Sequence, residues 1–225
     1  FTAVILGHAD EVVDTAVKEQ IDRGSLYSVN SPLEVELARL LVETIPSAEM
    51  CRYTRSGGEA CAVAVRIARG TKNRDKILFC GYHGWHDWYQ SANYLVDPDS
   101  GEFPFSGIEP IGVPRVLAGT AIPFVYGDLE MLEKMLKENH GEVAAIMMEP
   151  ARSQLPEPGY LEGVQALARE HDVILIFDEV SCGWRISLGG VQEVVGVTPD
   201  MTVLAKAISN GYPMGAIVGS REAME

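Results

Sequence analysis

Between Val173 and Val180 the chain reads Val-Ile-Leu-Ile-Phe-Asp-Glu-Val. Five consecutive apolar residues, three of them β-branched, suit a strand buried on both faces of a parallel sheet, and the run ends abruptly in two carboxylates. Asp178 is therefore expected at the carboxyl edge of the sheet, where open α/β sheets hold their ligands. A second apolar run, Met201 to Leu204, ends almost at Lys206, ahead of the turn Ser209-Asn210-Gly211-Tyr212-Pro213. If the two strands lie close together, one crevice receives both an acid and an amine.

Two chemistries use such a pair. Nucleotide triphosphatases end a strand in acids that hold magnesium, but they need a Gly-rich loop closing in Gly-Lys-Ser/Thr, and no Gly-Lys pair occurs in this chain. The other is a pyridoxal phosphate site, in which a lysine amine forms a Schiff base and an acid pairs with the pyridinium nitrogen. At an unperturbed pKa of about 10.4 only roughly 0.04% of lysine is neutral at pH 7, so such a site must desolvate Lys206 or set positive charge near it. Taken singly, Asp178 reads more simply as a cap of the following turn and Lys206 as a solvated surface amine.

The net charge of −14 argues against nucleic acid or an anionic membrane surface as partner, and no apolar run approaches the length of a membrane span. Cys51, Cys61, Cys80 and Cys182 are scattered without a Cys-x-x-Cys pair, which points to reduced thiols in a cytoplasmic protein. Phe1-Thr2-Ala3-Val4 lacks a basic leader region, and the chain begins without methionine in mid-pattern.

Apolar residues at Val13, Ala16, Val17 and Ile21 predict a helix from Asp10 to Arg23, stopped by Gly24. Ser31-Pro32-Leu33-Glu34 predicts a capping box for a second helix whose face carries Leu33, Leu37, Leu40 and Leu41, ending at Pro46. Tyr27 or Ser28, in the loop between them, is a weaker ligand candidate. Met50 to Thr54 reads as a short strand delivering the chain to Ser56-Gly57-Gly58-Glu59-Ala60, and an apolar helix closed by Gly70 follows. A helix start built of small residues leaves N–H groups open to an anion, so a phosphate is expected there; a tight turn is the plainer alternative.

Lys76 to Cys80 predicts a strand running into Gly81-Tyr82-His83-Gly84-Trp85-His86-Asp87-Trp88, whose crowded aromatics suggest a stacking surface. His83, His86 and Asp87 lack a convincing metal-ligand spacing, so no metal is expected. From Asp97 to Pro123 the chain is rich in Gly and Pro and without periodicity, which predicts a functional or mobile loop. Asp128 is expected to cap a helix ending at His140-Gly141, Val143 to Met148 to form a strand ending in Glu149, and Leu161 to Ala168 to lie on a helix leading back to the central strand. Alternating strands and helices imply right-handed crossovers and a mostly parallel sheet. Tyr82, Glu149 and Asp178 would gather at one edge.

These motifs together resemble the class III pyridoxal-phosphate-dependent aminotransferases of fold type I, from Leu6-Gly7-His8-Ala9 to Ala216-Ile217-Val218-Gly219. Trp184-Arg185-Ile186-Ser187-Leu188-Gly189-Gly190 and Gly196-Val197-Thr198-Pro199-Asp200 are most similar to the glutamate-1-semialdehyde aminomutase subgroup. The resemblance implies a three-layer α/β/α domain over 1–225, the cofactor-binding large domain of a longer protein with an N-terminal segment and a small C-terminal domain. It implies a Schiff base on Lys206, Asp178 at the pyridine nitrogen, Val180 on one ring face and Tyr82 on the other. Gly57 and Gly58 would serve the phosphate, and His83 and Glu149 would belong to the same cofactor site. It further implies a homodimer acting on a small-molecule amino donor and a carbonyl acceptor.

Three departures bear on substrate more than cofactor. Gly58 stands where relatives carry Thr or Ser, Ser181 where many carry Gln or Met, and Ala207-Ile208-Ser209-Asn210-Gly211 replaces a more Gly-rich run. Transamination, an intramolecular aminomutase step and a non-catalytic relative with an assembly role all remain open at this stage.

Overall fold

The computed structural model describes residues 1–95 and 109–225. Among them seven strands form one sheet: β1 (Met50–Thr54), β2 (Lys76–Cys80), β3 (Ala121–Pro123), β4 (Val143–Met148), β5 (Ile174–Asp178), β6 (Met201–Leu204) and β7 (Gly215–Gly219). The helices are α1 (Glu11–Arg23), α2 (Pro32–Thr44), α3 (Gly57–Lys72), α4 (Asp87–Gln90), α5 (Leu129–Glu138), α6 (Tyr160–Glu170), α7 (Gly190–Val195) and α8 (Arg221–Met224). Strand order is β1-β7-β6-β5-β4-β2-β3, so the run that ends in Asp178 is the central strand. β3, β2, β4, β5 and β6 pair in parallel; β7 runs antiparallel to both β6 and β1.

Burial on both faces explains why β5 is apolar up to Asp178. Ile174 and Ile176 join a core with α3, whereas Leu175 and Phe177 join one with α5 and α6 on the opposite face. A third cluster seats Leu41 of α2 against Leu204, Ala216 and Val218. The expected three-layer α/β/α arrangement is present. Phe177 is fully buried, a placement that contributes about 1.5–3 kcal/mol over exposure. α3 can lie close to the sheet because its buried stripe is Ala60, Cys61, Ala64, Val65 and Ala68, mostly small side chains at helical spacing.

Side chains alternate along a strand, and this separates the two neighbouring acids. Asp178 shares the α3 face with Ile176. Glu179 turns the other way, where its Oε2 accepts from Val191 N at 2.8 Å and its Oε1 from Gln192 N and Nε2 at 3.3 and 3.0 Å. Gln192 in turn donates to Thr202 Oγ1 at 3.0 Å and accepts from Ser47 N at 2.9 Å, a buried polar network that fastens α7 to β6.

Several boundaries differ from the sequence reading. Gly70 does not close α3; Asn73, at φ 50°, does. β3 and β7 were not anticipated, and neither was α7. The capping box of Ser31 and Glu34 is present, with Glu34 Oε2 accepting from Ser31 N at 2.8 Å. The apolar faces of the first two helices, however, are only partly covered by the described residues: α1 buries no residue, and α2 buries Leu41 and packs Leu37 against the same cluster. Positions 97–108 of the predicted loop lie outside the described residues. No helix among the described residues is long and apolar enough to cross a membrane.

Candidate active site

At the carboxyl edge of the sheet the ends of β2, β5 and β6 and the amino end of α3 surround a cavity of about 420 Å³. Its lining includes Asp178, Val180, Ser181, Lys206, Tyr82, His83, Gly57 and Gly58. The acid and the amine expected to share a crevice therefore do so. Lys206 follows β6 at φ 47°, a left-handed conformation that costs an L-residue roughly 1–2 kcal/mol. Its Nζ donates to Ser181 Oγ at 2.6 Å. The loop beyond it is tied to the start of the chain, because Asn210 Oδ1 accepts from Leu6 N and Asn210 Nδ2 donates to Gly7 O.

Asp178 is 3% exposed and engaged on both oxygens. Oδ1 accepts from Val180 N at 3.0 Å; Oδ2 lies 2.7 Å from His83 Nδ1 and accepts from Cys61 Sγ at 3.4 Å. His83 Nε2 faces the Cys80 carbonyl at 3.2 Å, so the buried imidazole is held at both nitrogens. Burial, reinforced by the charge of Asp178, pushes the Cys61 thiol well above its ordinary value. It therefore stays protonated and able to donate. These contacts bring potential metal ligands of Cys61, His83 and Asp178 within 4.8 Å of one another, and hydrogen bonds to a single carboxylate oxygen account for the convergence. The trio considered from sequence is not assembled: His83 is buried on Asp178, whereas Asp87 is exposed at the start of α4.

Gly57 and Gly58 are the first residues of α3, whose N-cap Ser56 accepts from Glu59 N. A Cβ on Gly57 would stand 3.0 Å from Val180 Cγ1 and 3.3 Å from Ala205 Cβ, so the helix start packs directly beneath the segments that carry Val180 and Lys206. Gly84, at φ 94°, is required by closeness as well: a Cβ there would come within 2.7 Å of Gly58 Cα.

Tyr82 lines the cavity, and burial raises its hydroxyl pKa, with Cys61 and Asp178 adding to the effect. Glu149 does not line the cavity. Its Oε2 accepts from Tyr82 N at 3.2 Å and pairs with Arg152 Nε at 3.3 Å. Burial first, and then the charge of Asp178, raises its carboxyl pKa against the pull of Tyr82 N–H, His83 and Arg152.

The aromatic run after β2 divides. Tyr82 and Trp85 face the cavity, while Trp88 and Tyr89 enter the core, with Tyr89 OH donating to Gly81 O at 2.9 Å. Tyr27 binds the end of α1 through Arg23 and Gly24 carbonyls and, like Ser28, does not reach the cavity.

Sequence reasoning left out Cys61, which lies one helical turn after Gly57; that four-residue spacing was the available signal. It also left out Arg152, three residues after Glu149.

A family model described as aminotransferase class-III matches residues 1–225. The glutamate-1-semialdehyde 2,1-aminomutase of Roseiflexus castenholzii (strain DSM 13941 / HLO8) is 43% identical over 228 residues, covering 99% of this chain and 51% of that protein. An omega-transaminase from Sphaerobacter thermophilus superposes with a TM-score of 0.89 at 33% identity, covering 99% of this chain and 52% of the other. A transaminase with PLP bound superposes with a TM-score of 0.88 at 27% identity, over 99% and 52% of the two chains. The chain spans about half the length of the curated relatives it matches.

Proposed function

Because this chain belongs to the class-III aminotransferase family, we propose that it carries the pyridoxal phosphate site of an enzyme that moves an amino group between an amino donor and a carbonyl acceptor. The observation that carries the reading is the single cavity shared by Lys206 and Asp178. The residues fit the cofactor at both ends: N–H groups of Gly57 and Gly58 with no side chain in the way, and a buried carboxylate fixed by three donors. The solved transaminase with PLP bound supports the same assignment. When bound, pyridoxal phosphate supplies an aldehyde that condenses with amines and a ring that draws electrons from the carbon bearing the amine.

Everything else falls to the chain. Lys206 would hold the cofactor through its amine, and the same Nζ is placed to take the α-proton as base and to deliver it onward as acid. Ser181, bonded to Nζ, orients that amine. Asp178 keeps a proton on the ring nitrogen through a charge-assisted hydrogen bond worth about 1.5–3 kcal/mol. His83 and Cys61 hold the carboxylate in place for this. Val180 and Tyr82, which both line the cavity, would flank the ring. Glu149 acts from behind, by fixing the Tyr82 backbone and closing the floor beneath Gly81, where a Cβ would meet Glu149 Oε2 at 2.5 Å.

An aminomutase step on one molecule is the second reading, favoured by the 43% identity to the Roseiflexus castenholzii aminomutase. In the same proposal residues 1–225 form the cofactor-binding large domain, and two copies of a longer cytoplasmic protein pair. Uncovered apolar residues on the first two helices and the loop joining them, Val12, Ile21, Leu26, Val29, Leu33 and Val35, support the pairing. Free thiols at all four cysteines suit the compartment.

The test is spectroscopic. Cofactor-loaded protein is expected to lose its visible absorption on addition of an amino donor and to regain it with a carbonyl acceptor. A spectrum indifferent to every donor would favour a non-catalytic relative. Lys206→Ala should abolish both the covalent absorption and turnover, and their retention would remove that lysine from the mechanism.

A further inference from the structure

Gly58 is not demanded by its backbone. A Cβ built on it meets Gly84 Cα at 3.7 Å, His86 Nε2 at 3.8 Å and Trp85 N at 4.0 Å, all ordinary contacts, and its φ does not lie in the left-handed region. A side chain is therefore tolerated at this position, and what takes the space is the imidazole of His86. His86 lines the same cavity as Gly57 and Gly58, is half-buried, and no group among the described residues bonds its ring nitrogens. A ring held beside the open N–H groups of a 16-residue helix, without a protein acceptor, is placed to donate to an anion. The neighbouring cation, Arg55, is already engaged by Glu59 Oε1 at 3.5 Å.

We propose that His86 is a ligand of the cofactor's phosphate, its Nε2–H occupying the position that a hydroxyl side chain at Gly58 would otherwise fill. This rests on the pyridoxal phosphate reading above. Two consequences follow from the shared space. Removing the imidazole deprives the phosphate of one donor, and a serine at position 58 can supply another from nearly the same point. With His86 present, the serine hydroxyl and the ring compete for one volume, so the serine adds nothing.

The experiment is equilibrium binding to cofactor-stripped protein, followed by intrinsic tryptophan fluorescence, for wild type, His86→Ala, Gly58→Ser and the double variant. Each is titrated with pyridoxal phosphate and with pyridoxal, which lacks the phosphate. His86→Ala should weaken pyridoxal phosphate binding by about 10- to 100-fold, or about 1.4–2.8 kcal/mol at 1.4 kcal/mol per tenfold, the range of a hydrogen bond to a charged group. Pyridoxal affinity should be unchanged. In the double variant Gly58→Ser should restore most of the loss, while alone it should not improve on wild type.

Equal pyridoxal phosphate affinity in His86→Ala overturns the assignment. So does a parallel loss of pyridoxal affinity, which would mark His86 as structural or as a ring contact, and so does a double variant no better than His86→Ala. Wild-type protein that binds neither compound would refute the cofactor reading itself, a result distinct from any of these.

Discussion

Asparagine at position 178 separates the structural role of the acid from its chemical one. The amide has the shape of the carboxylate, so no cavity opens in a site that is 3% exposed. Its oxygen can go on accepting from Val180 N, as Asp178 Oδ1 does at 3.0 Å. Its NH2 then faces His83 Nδ1, now 2.7 Å from Oδ2, and the ring can accept there while Nε2–H donates to the Cys80 carbonyl. What is lost is charge assistance on the two retained bonds, each falling from about 1.5–3 to about 0.5–1.5 kcal/mol, together with the Cys61 Sγ–H bond, whose acceptor oxygen has become an NH2, for a net cost of about 2 kcal/mol. Asp178→Ala instead leaves Val180 N, the imidazole and the Cys61 thiol facing a hole, and breaking a buried pair in this way costs about 3–5 kcal/mol. Urea unfolding of cofactor-free protein measures both without ligand linkage. Function should show no such leniency. Asparagine cannot hold the ring nitrogen's proton as an ion pair, so the donor-driven spectral conversion should slow by about 10- to 150-fold, the same 1.5–3 kcal/mol expressed as a rate. The reasoning fails if asparagine destabilises as much as alanine, or if it converts donor at the wild-type rate.

Glu179→Ala should destabilise the protein by about 3–5 kcal/mol in urea unfolding, since three N–H donors and the Cys182 thiol lose a buried acceptor, and Glu179→Gln by less than half of that; a change under about 0.5 kcal/mol would show that α7 is held by other contacts. The buried carboxyl of Glu149 has a raised pKa, with burial the first cause. A folded-state value above the unfolded one means that the folded protein binds more protons in that window, so this group's contribution is greatest below the ordinary carboxylate range and is lost as pH rises through the raised value. Differential scanning calorimetry of wild type against Glu149→Gln should therefore find wild type losing ground with rising pH, and a difference independent of pH would contradict the burial argument.

Much of this architecture is written in runs that have no alternative use. Five apolar residues ahead of Asp178 suit only a strand covered on both faces, and β5 proves to be the central one. β7, Gly-Ala-Ile-Val-Gly, escaped because glycines bound it on both sides and its antiparallel pairing leaves no mark in a five-residue string. β3 is three residues long and ends in proline. Gly70 misled because an interior glycine costs a helix only about 1 kcal/mol, which packing against the sheet offsets, while Asn73 supplies the left-handed cap. At the site, the residues on strand ends were legible from the carboxyl-edge rule. Cys61 was not, since its meeting with Asp178 depends on the rotation of α3 over the sheet, which no local pattern encodes. The first two helices show the opposite limit: their periodicity is correct, yet a periodic face states that something apolar must cover it and not what does so.

The pair Asp178-Glu179 shows how one strand end supports both chemistry and framework. Alternation sends identical groups to opposite faces, and the environments they meet then divide their roles. Asp178 reaches the cavity beneath α3, where its partners come from β2's end and from α3 itself. Glu179 reaches the start of α7, where Val191 and Gln192 hold it. Between the Glu179 anchor and α7 runs the segment that carries Val180 and Ser181, the first lining the cavity and the second accepting from Lys206. Loosening the structural acid should therefore displace Ser181, and through it the amine of Lys206, although Glu179 touches neither. A Glu179→Gln protein that remains folded but binds pyridoxal phosphate more slowly into its covalent form, with Asp178 intact, is the expected signature; unchanged covalent binding would mean that Ser181 is positioned independently of α7.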